Sequence, residues 1–178
     1  DYDAERELIT DEMLGRNHVF FLPYLMGERA PHNDPLARGC FIGMTMDSNR
    51  IDLVQAMLEG VAFGMRDSLE EAKKAGADVH SSMICGGGSK SSLWRRIFCN
   101  VMNIEITMPE TEQGPGYGGA ILAAVADGKY ESVEAACEKL VSIKARIEPE
   151  PELAARYEER YKAFRKLYPA LKDAFKAL

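Results

Sequence analysis

Apolar residues recur three or four apart at Ile51, Val54, Leu58, Val61, Met65, Leu69 and Ala72, the spacing of one helix face, and predict the longest helix of the chain. Ser48 or Asn49 can cap its start, and Gly76 stands where it should end. Gly60 and Gly64 inside it each cost about 1 kcal/mol against alanine, so they predict close packing on a strand or helix. Upstream, residues 1–16 are charged and read as a helix or linker remnant ending near Gly15. "HVFFLPYLMGERAPHNDP" is an apolar run that gives way to a polar, proline-rich loop, and Gly39 to Met46 reads as a buried strand. Downstream come a strand at Ser82 to Cys85, a helix from about Ser91 to Met102, and a strand from Ile104 to Pro109. A glycine-rich turn, Gly114 to Gly119, then opens an apolar helix, and a further helix runs from Ser132 to Leu140. Residues 151–178 read as an amphipathic helical ending whose docking face is Leu153, Tyr157, Tyr161, Phe164, Leu171 and Phe175. Pro169 should kink or restart it. Strands alternating with helices imply an α/β domain.

Composition narrows the partners. The chain has 178 residues, enough for one domain with a sizeable core. A formal net charge of −6 leaves no basic stripe for nucleic acid. No run approaches the ~20 apolar residues of a membrane span. Cys40, Cys85, Cys99 and Cys137 show no C-x-x-C spacing, which excludes a zinc ribbon and favours buried, reduced thiols in a cytoplasmic protein. The opening "DYDAERELIT" lacks a methionine, and we expect a piece of a larger protein.

Two glycine-rich junctions carry the candidate chemistry, Gly86 to Ser89 and Gly114 to Gly119, each between a strand and a helix. Helix N-termini present free N–H groups and partial positive charge to anions, and glycine admits a ligand without a Cβ in the way. Neither standard fingerprint fits "MICGGGSKSS". A Walker A loop needs glycine directly before Lys90, where Ser89 stands, and G-x-G-x-x-G needs glycine at Ser91. A tight turn and a binding loop explain the first junction equally well. The second, at the same end of a sheet, shifts the balance to a nucleotide cleft.

From Asn17 onward the chain resembles the C-terminal domain of the FGGY family of carbohydrate kinases. Gly39, Phe41, Gly43 and Met44, then Asp52, Leu53, Ala56, Met57, Leu58 and Glu59, match its second signature within "GCFIGMTMDSNRIDLVQAMLE". "FLPYLMGERAPHNDPLARG" looks like the xylulose kinase branch. "GGGSKSSLWRRIFCNVMN" and "EQGPGYGGAILAAVADG" resemble the segments that line the family's adenine nucleotide site.

The resemblance implies an actin-like, ribonuclease-H-like fold, with ATP and Mg²⁺ as cofactors and ADP as product. It implies nucleotide contacts at Gly86, Gly87, Gly88, Ser91 and Gly116, with serine at 91 where relatives often carry asparagine. Glu28 and Arg29 are implied to face the interdomain cleft, where Arg29 serves closure or structure and otherwise forms a loop ion pair. The family's catalytic base is an aspartate of the first domain, which also holds most of the sugar, so no catalytic residue is assigned in this chain. A homodimer is compatible with the resemblance.

Several single residues have plainer readings. His32 should hydrogen-bond Asp34, and Glu59, within an apolar helix face, needs Arg66 or Arg29 as partner. Lys90 reads as solvated, and Trp94 as either an adenine wall or core. Asp34, Asp47, Asp52 and Glu112 are acidic, but magnesium is held largely through phosphates, and no metal ligand is named. On residue patterns alone, a non-catalytic actin-like module competes with a kinase half. The "GERAPHNDP" loop favours the kinase, while ribulose, glycerol or gluconate competes with xylulose as substrate.

Overall fold

The computed structural model describes residues 6–111 and 114–178. Its longest element is α1, Arg50–Lys74, begun by a capping box in which Asn49 accepts from the backbone of Ile51 and Asp52 while Asp52 reaches back to Asn49. Gly76, at φ +95°, follows its end. Of the face predicted from spacing, Val54 and Leu58 are buried, Ile51, Val61, Leu69 and Ala72 are half-buried and Met65 is exposed, while Ala62 and Phe63 beside it carry the rest of the buried stripe. Strand β1, Phe20–Leu22, lies so close to α1 that a Cβ on Gly60 would collide with the Phe21 carbonyl. This is the close packing on a strand that a mid-helix glycine predicts.

β1 pairs antiparallel with β2, Cys40–Ile42. The strand expected over Gly39 to Met46 is therefore three residues long, because Gly43 adopts φ +90° and turns the chain away. A second sheet has the order β3 (Ser81–Met83), β4 (Glu105–Pro109), β5 (Ile143–Ile147), with β3 parallel and β5 antiparallel to β4. Helix α2, Ser92–Met102, makes the crossover from β3 to β4 and packs on α1. Helices α3 (Gly114–Ala126) and α4 (Val133–Leu140, capped by Ser132) follow β4 and pack on each other.

The ending is two helices rather than one amphipathic helix over 151–178. α5, Pro151–Phe164, stops at Arg165, and α6 spans Leu167–Phe175. Pro169 sits in the first turn of α6, where its missing N–H costs nothing. The helix expected up to Gly15 is likewise absent from residues 9–16, which run in turns with Gly15 at φ +71°; residues 1–5 of that expectation lie outside the described residues. Only Cys99 is buried; Cys40 and Cys137 are half-buried and Cys85 is exposed, all as free thiols.

The largest core cluster joins α1, α2, α5 and α6 through Leu58, Phe63, Ile97, Tyr157, Phe164 and Phe175. A carboxylate lies inside it. Glu59, 1% exposed, forms an ion pair with Arg160 of α5 at 2.9 Å. Its other oxygen accepts from Tyr157 Oη at 3.1 Å, Gln55 Nε2 at 2.8 Å and Gly15 N at 3.4 Å. The expected partners Arg66 and Arg29 are elsewhere, Arg66 on Glu158 at 2.5 Å. Arg160 also donates to the Val19 carbonyl and lies over the Phe20 ring, so one ion pair ties α1, α5 and the entry to β1.

Removing one member of a buried pair leaves the other charge uncompensated, at a cost of about 3–5 kcal/mol. Glu59→Gln should lower unfolding free energy by that order in denaturant titration. Replacing Glu59 and Arg160 together by methionine should recover most of it.

Candidate functional site

The strand β3 runs into a turn whose three glycines do three different things. Gly86 takes φ +87°, a conformation that residues with a Cβ avoid. Gly88 lies with its Cα against the six-membered ring of Trp94, leaving no room for a side chain. Gly87 has neither constraint: a Cβ built there meets nothing within 4 Å. The turn reading thus accounts for Gly86 and Gly88, and Gly87 keeps its Cα bare toward open space.

Residues Gly87–Lys90 form a short 3-10 helix, and Ser91 caps α2 by accepting from Trp94 N at 3.2 Å. Its hydroxyl proton stays available to a ligand while its oxygen is engaged. Gly87, Lys90, Ser91, Ser92 and Leu93 line a cavity of about 820 Å³, walled on the far side by Ile9 and Asp11. The N-terminus of α2 therefore opens into it, with the amides of its first turn and the positive end of the helix dipole. Lys90 is exposed at its edge. Arg96 also lines it but is held by Glu150 at 2.6 Å and by Asp11.

Trp94 does not line this cavity. Its Nε1 donates to the Leu58 carbonyl of α1 at 3.3 Å, and its ring borders a separate apolar groove with Met65, Met83, Phe98 and Ile106. Gly116 does not line the cavity either. It lies in the first turn of α3 at the end of β4, the same end of the sheet as Gly87, and a Cβ there also meets nothing within 4 Å; the glycine-rich turn expected over Gly114 to Gly119 is itself helical.

Glu28 and Arg29 lie on another surface. Their loop closes through paired backbone hydrogen bonds between Glu28 and Asp34, and Glu28 Oε1 accepts from Ala30 N at 2.9 Å rather than pairing with Arg29. Arg29 is exposed. The loop is held from below by a cluster that sequence spacing does not reveal. His32 stacks on Tyr168 of α6, with ring centroids 3.7 Å apart, and hydrogen-bonds Tyr24 at 3.2 Å. The expected partner Asp34 instead accepts from Tyr168 Oη at 2.8 Å, which holds its carboxyl below the usual range. Asp67 of α1 accepts from Tyr161 Oη at 2.6 Å and stands 4.0 Å from His32. Burial lowers the His32 pKa and raises that of Asp67, so this contact is not a full ion pair at neutral pH.

Among the described residues, no group of three or more His, Cys, Asp or Glu side chains is placed to hold a metal ion. Asp34 and Asp52 are engaged by Tyr168 and by the α1 cap, and Glu112 lies outside the described residues. No described helix is long and apolar enough to cross a membrane.

The chain is 34% identical over 165 residues to the xylulose kinase of Bacillus subtilis, a match that covers 93% of this chain and 33% of that protein. A structure described as a xyloylose kinase from Brucella ovis superposes with a TM-score of 0.86 at 35% identity, covering 97% of this chain and 35% of that one. A gluconate kinase structure from Lactobacillus acidophilus gives a TM-score of 0.87 at 25% identity, covering 99% and 35%. The chain thus spans about a third of the length of the relatives it matches. The fold is the actin-like one of these sugar kinases, a mixed sheet flanked by helices. Residues 3–126 match the C-terminal domain of the FGGY family of carbohydrate kinases, and the chain belongs to that family.

Proposed function

We propose that this chain is the nucleotide-holding half of an ATP-dependent carbohydrate kinase that phosphorylates D-xylulose to xylulose 5-phosphate. The observation that carries the reading is Gly87. Its bare Cα and the open N-terminus of α2 face one cavity, the arrangement that lets a nucleotide lie against backbone. The nucleotide contacts are Gly86, Gly87, Gly88 and the Ser91 hydroxyl, with Gly116 in the first turn of α3.

Within the reaction this half binds and orients. ATP supplies the phosphoryl group, and magnesium is held mainly through its phosphates. The proton of the sugar hydroxyl goes to an aspartate of the family's first domain. The loop carrying Glu28 and Arg29 serves closure against that domain, which excludes water from the transfer. The xylulose assignment rests on the likeness to xylulose kinases over nearly the whole chain. The gluconate kinase likeness supports another sugar as the second reading. The setting that goes with either is cytoplasmic.

The 178-residue chain by itself should release no ADP in the presence of xylulose, and it should bind ATP, ADP and AMP weakly and alike. Xylulose-dependent turnover by the isolated chain, or a strong preference for ATP, would place the missing machinery in this half. A substrate panel on the full-length kinase decides the sugar.

The three glycines give a sharper test. Gly86→Ala should cost roughly 1 kcal/mol or more of stability, because φ is positive there. Gly87→Ala should change stability by no more than about 0.5 kcal/mol, as at an unconstrained surface position. Yet a methyl added to a packed contact costs about 1–3 kcal/mol, so nucleotide affinity should fall about fivefold or more, and further in Gly87→Val. Thermal unfolding and nucleotide titration read the two effects apart. Normal affinity in a folded Gly87→Val chain would move the nucleotide elsewhere.

A further inference from the structure

The turn that presents Gly87 has little to hold it in shape by itself. Gly86 and Gly87 have the widest backbone freedom of any residues, and 3-10 hydrogen bonds have poor geometry. The turn's own bonds, Ser89 N to the Gly86 carbonyl at 3.1 Å and Ser91 N to the Gly88 carbonyl at 3.2 Å, are both long.

Two side chains add what the backbone lacks. Ser89, 6% exposed, donates its hydroxyl to the Gly86 carbonyl at 2.7 Å and closes the first half of the turn. Arg95, one turn into α2, reaches back and donates Nη1 to the Ser89 carbonyl at 2.5 Å. The buried Nε of Arg95 has no hydrogen-bond partner among the described residues, so its hold on the turn passes through Nη1. The adjacent Trp94 presses its ring on Gly88 and is itself tied to the Leu58 carbonyl of α1. The turn is thus fastened to a helix that is fastened to the core.

We propose that Arg95, acting through Ser89, is a positioning residue that keeps the glycine turn in the form that leaves Gly87 bare to the cavity. Arg95 does not line that cavity, although its neighbour Arg96 does. Its charge therefore works on the Ser89 carbonyl and not on a bound phosphate. The consequence for ligand binding rests on the nucleotide reading above; the consequence for the turn does not.

The test uses Arg95→Ala, Arg95→Lys and Ser89→Ala in the 178-residue chain, with ATP, ADP and AMP as probes. Arg95→Ala should raise Kd by about three- to tenfold, the size of one net hydrogen bond, and by the same factor for all three nucleotides. Arg95→Lys should restore part of the loss, because an ammonium can still donate to the Ser89 carbonyl. Ser89→Ala should mimic Arg95→Ala. In the absence of nucleotide, amide hydrogen exchange at Ser89 and Ser91 should quicken about tenfold in Arg95→Ala while α1 keeps its protection.

A loss that grows from AMP to ATP would make Arg95 a direct phosphate contact and overturn the positioning role. Unchanged exchange at Ser89 and Ser91 would overturn it as well, and so would faster exchange spread evenly through α1, which marks general destabilisation. If the unsubstituted chain binds no nucleotide, the functional reading falls and the exchange rates alone decide the clamp.

Discussion

The packing of α1, α5 and the entry to β1 is arranged around one buried carboxylate. Glu59 lies in the middle of α1 on a face that is otherwise apolar, and a charge there is tolerable only when fully partnered. Arg160, Tyr157, Gln55 and the Gly15 amide supply the partners from three separated parts of the chain. Satisfying that group fixes where α5 docks, where the segment before β1 turns, and hence how β1 lies along α1. The Gly60 contact with Phe21 follows from that placement.

From α1 the constraint passes to the candidate site. Trp94 joins α2 to α1 through the Leu58 carbonyl, one residue before Glu59, and its ring sets the height of the glycine turn at Gly88. Within four residues the turn divides its labour. Gly86 supplies backbone conformation, Gly88 supplies room for an aromatic ring, and Gly87 is left bare. Ser89 and Arg95 convert a flexible stretch into a fixed one. A loop that must accept a ligand against its backbone gains from such fixing, because ordering done in folding is not repeated on binding.

The loop with Glu28 and Arg29 is held by an independent device. His32 and Asp34 plug it into Tyr24 and Tyr168, and Asp67 of α1, which accepts from Tyr161, completes the cluster. Burial favours the neutral form of His32 and raises the Asp67 pKa, so aromatic stacking and the hydrogen bonds from tyrosine hydroxyls to Asp34 and Asp67 do the holding. The C-terminal helices therefore serve two surfaces at once, the core through α5 and the loop through α6.

Local patterns in the sequence determined much. The three- and four-residue spacing marked α1, Asn49 and Ser132 marked helix starts, and the first strand–glycine–helix junction pointed to the candidate cavity. The alternation of Ile143, Ala145 and Ile147 with Lys144 and Arg146 carried a signal for β5 as well, and β1 lay hidden in an apolar run whose period a three-residue strand is too short to show. Partners were another matter. Nothing near Glu59 in the chain points to Arg160, nor near Asp34 to Tyr168, because spacing along the chain reports only neighbours within a turn or a strand. Nor does "GGG" say which glycine is strained, which is crowded and which is bare; that depends on the Trp94 ring and the φ of Gly86. Backbone conformation is encoded locally, whereas the satisfaction of buried polar groups is settled only when distant segments meet.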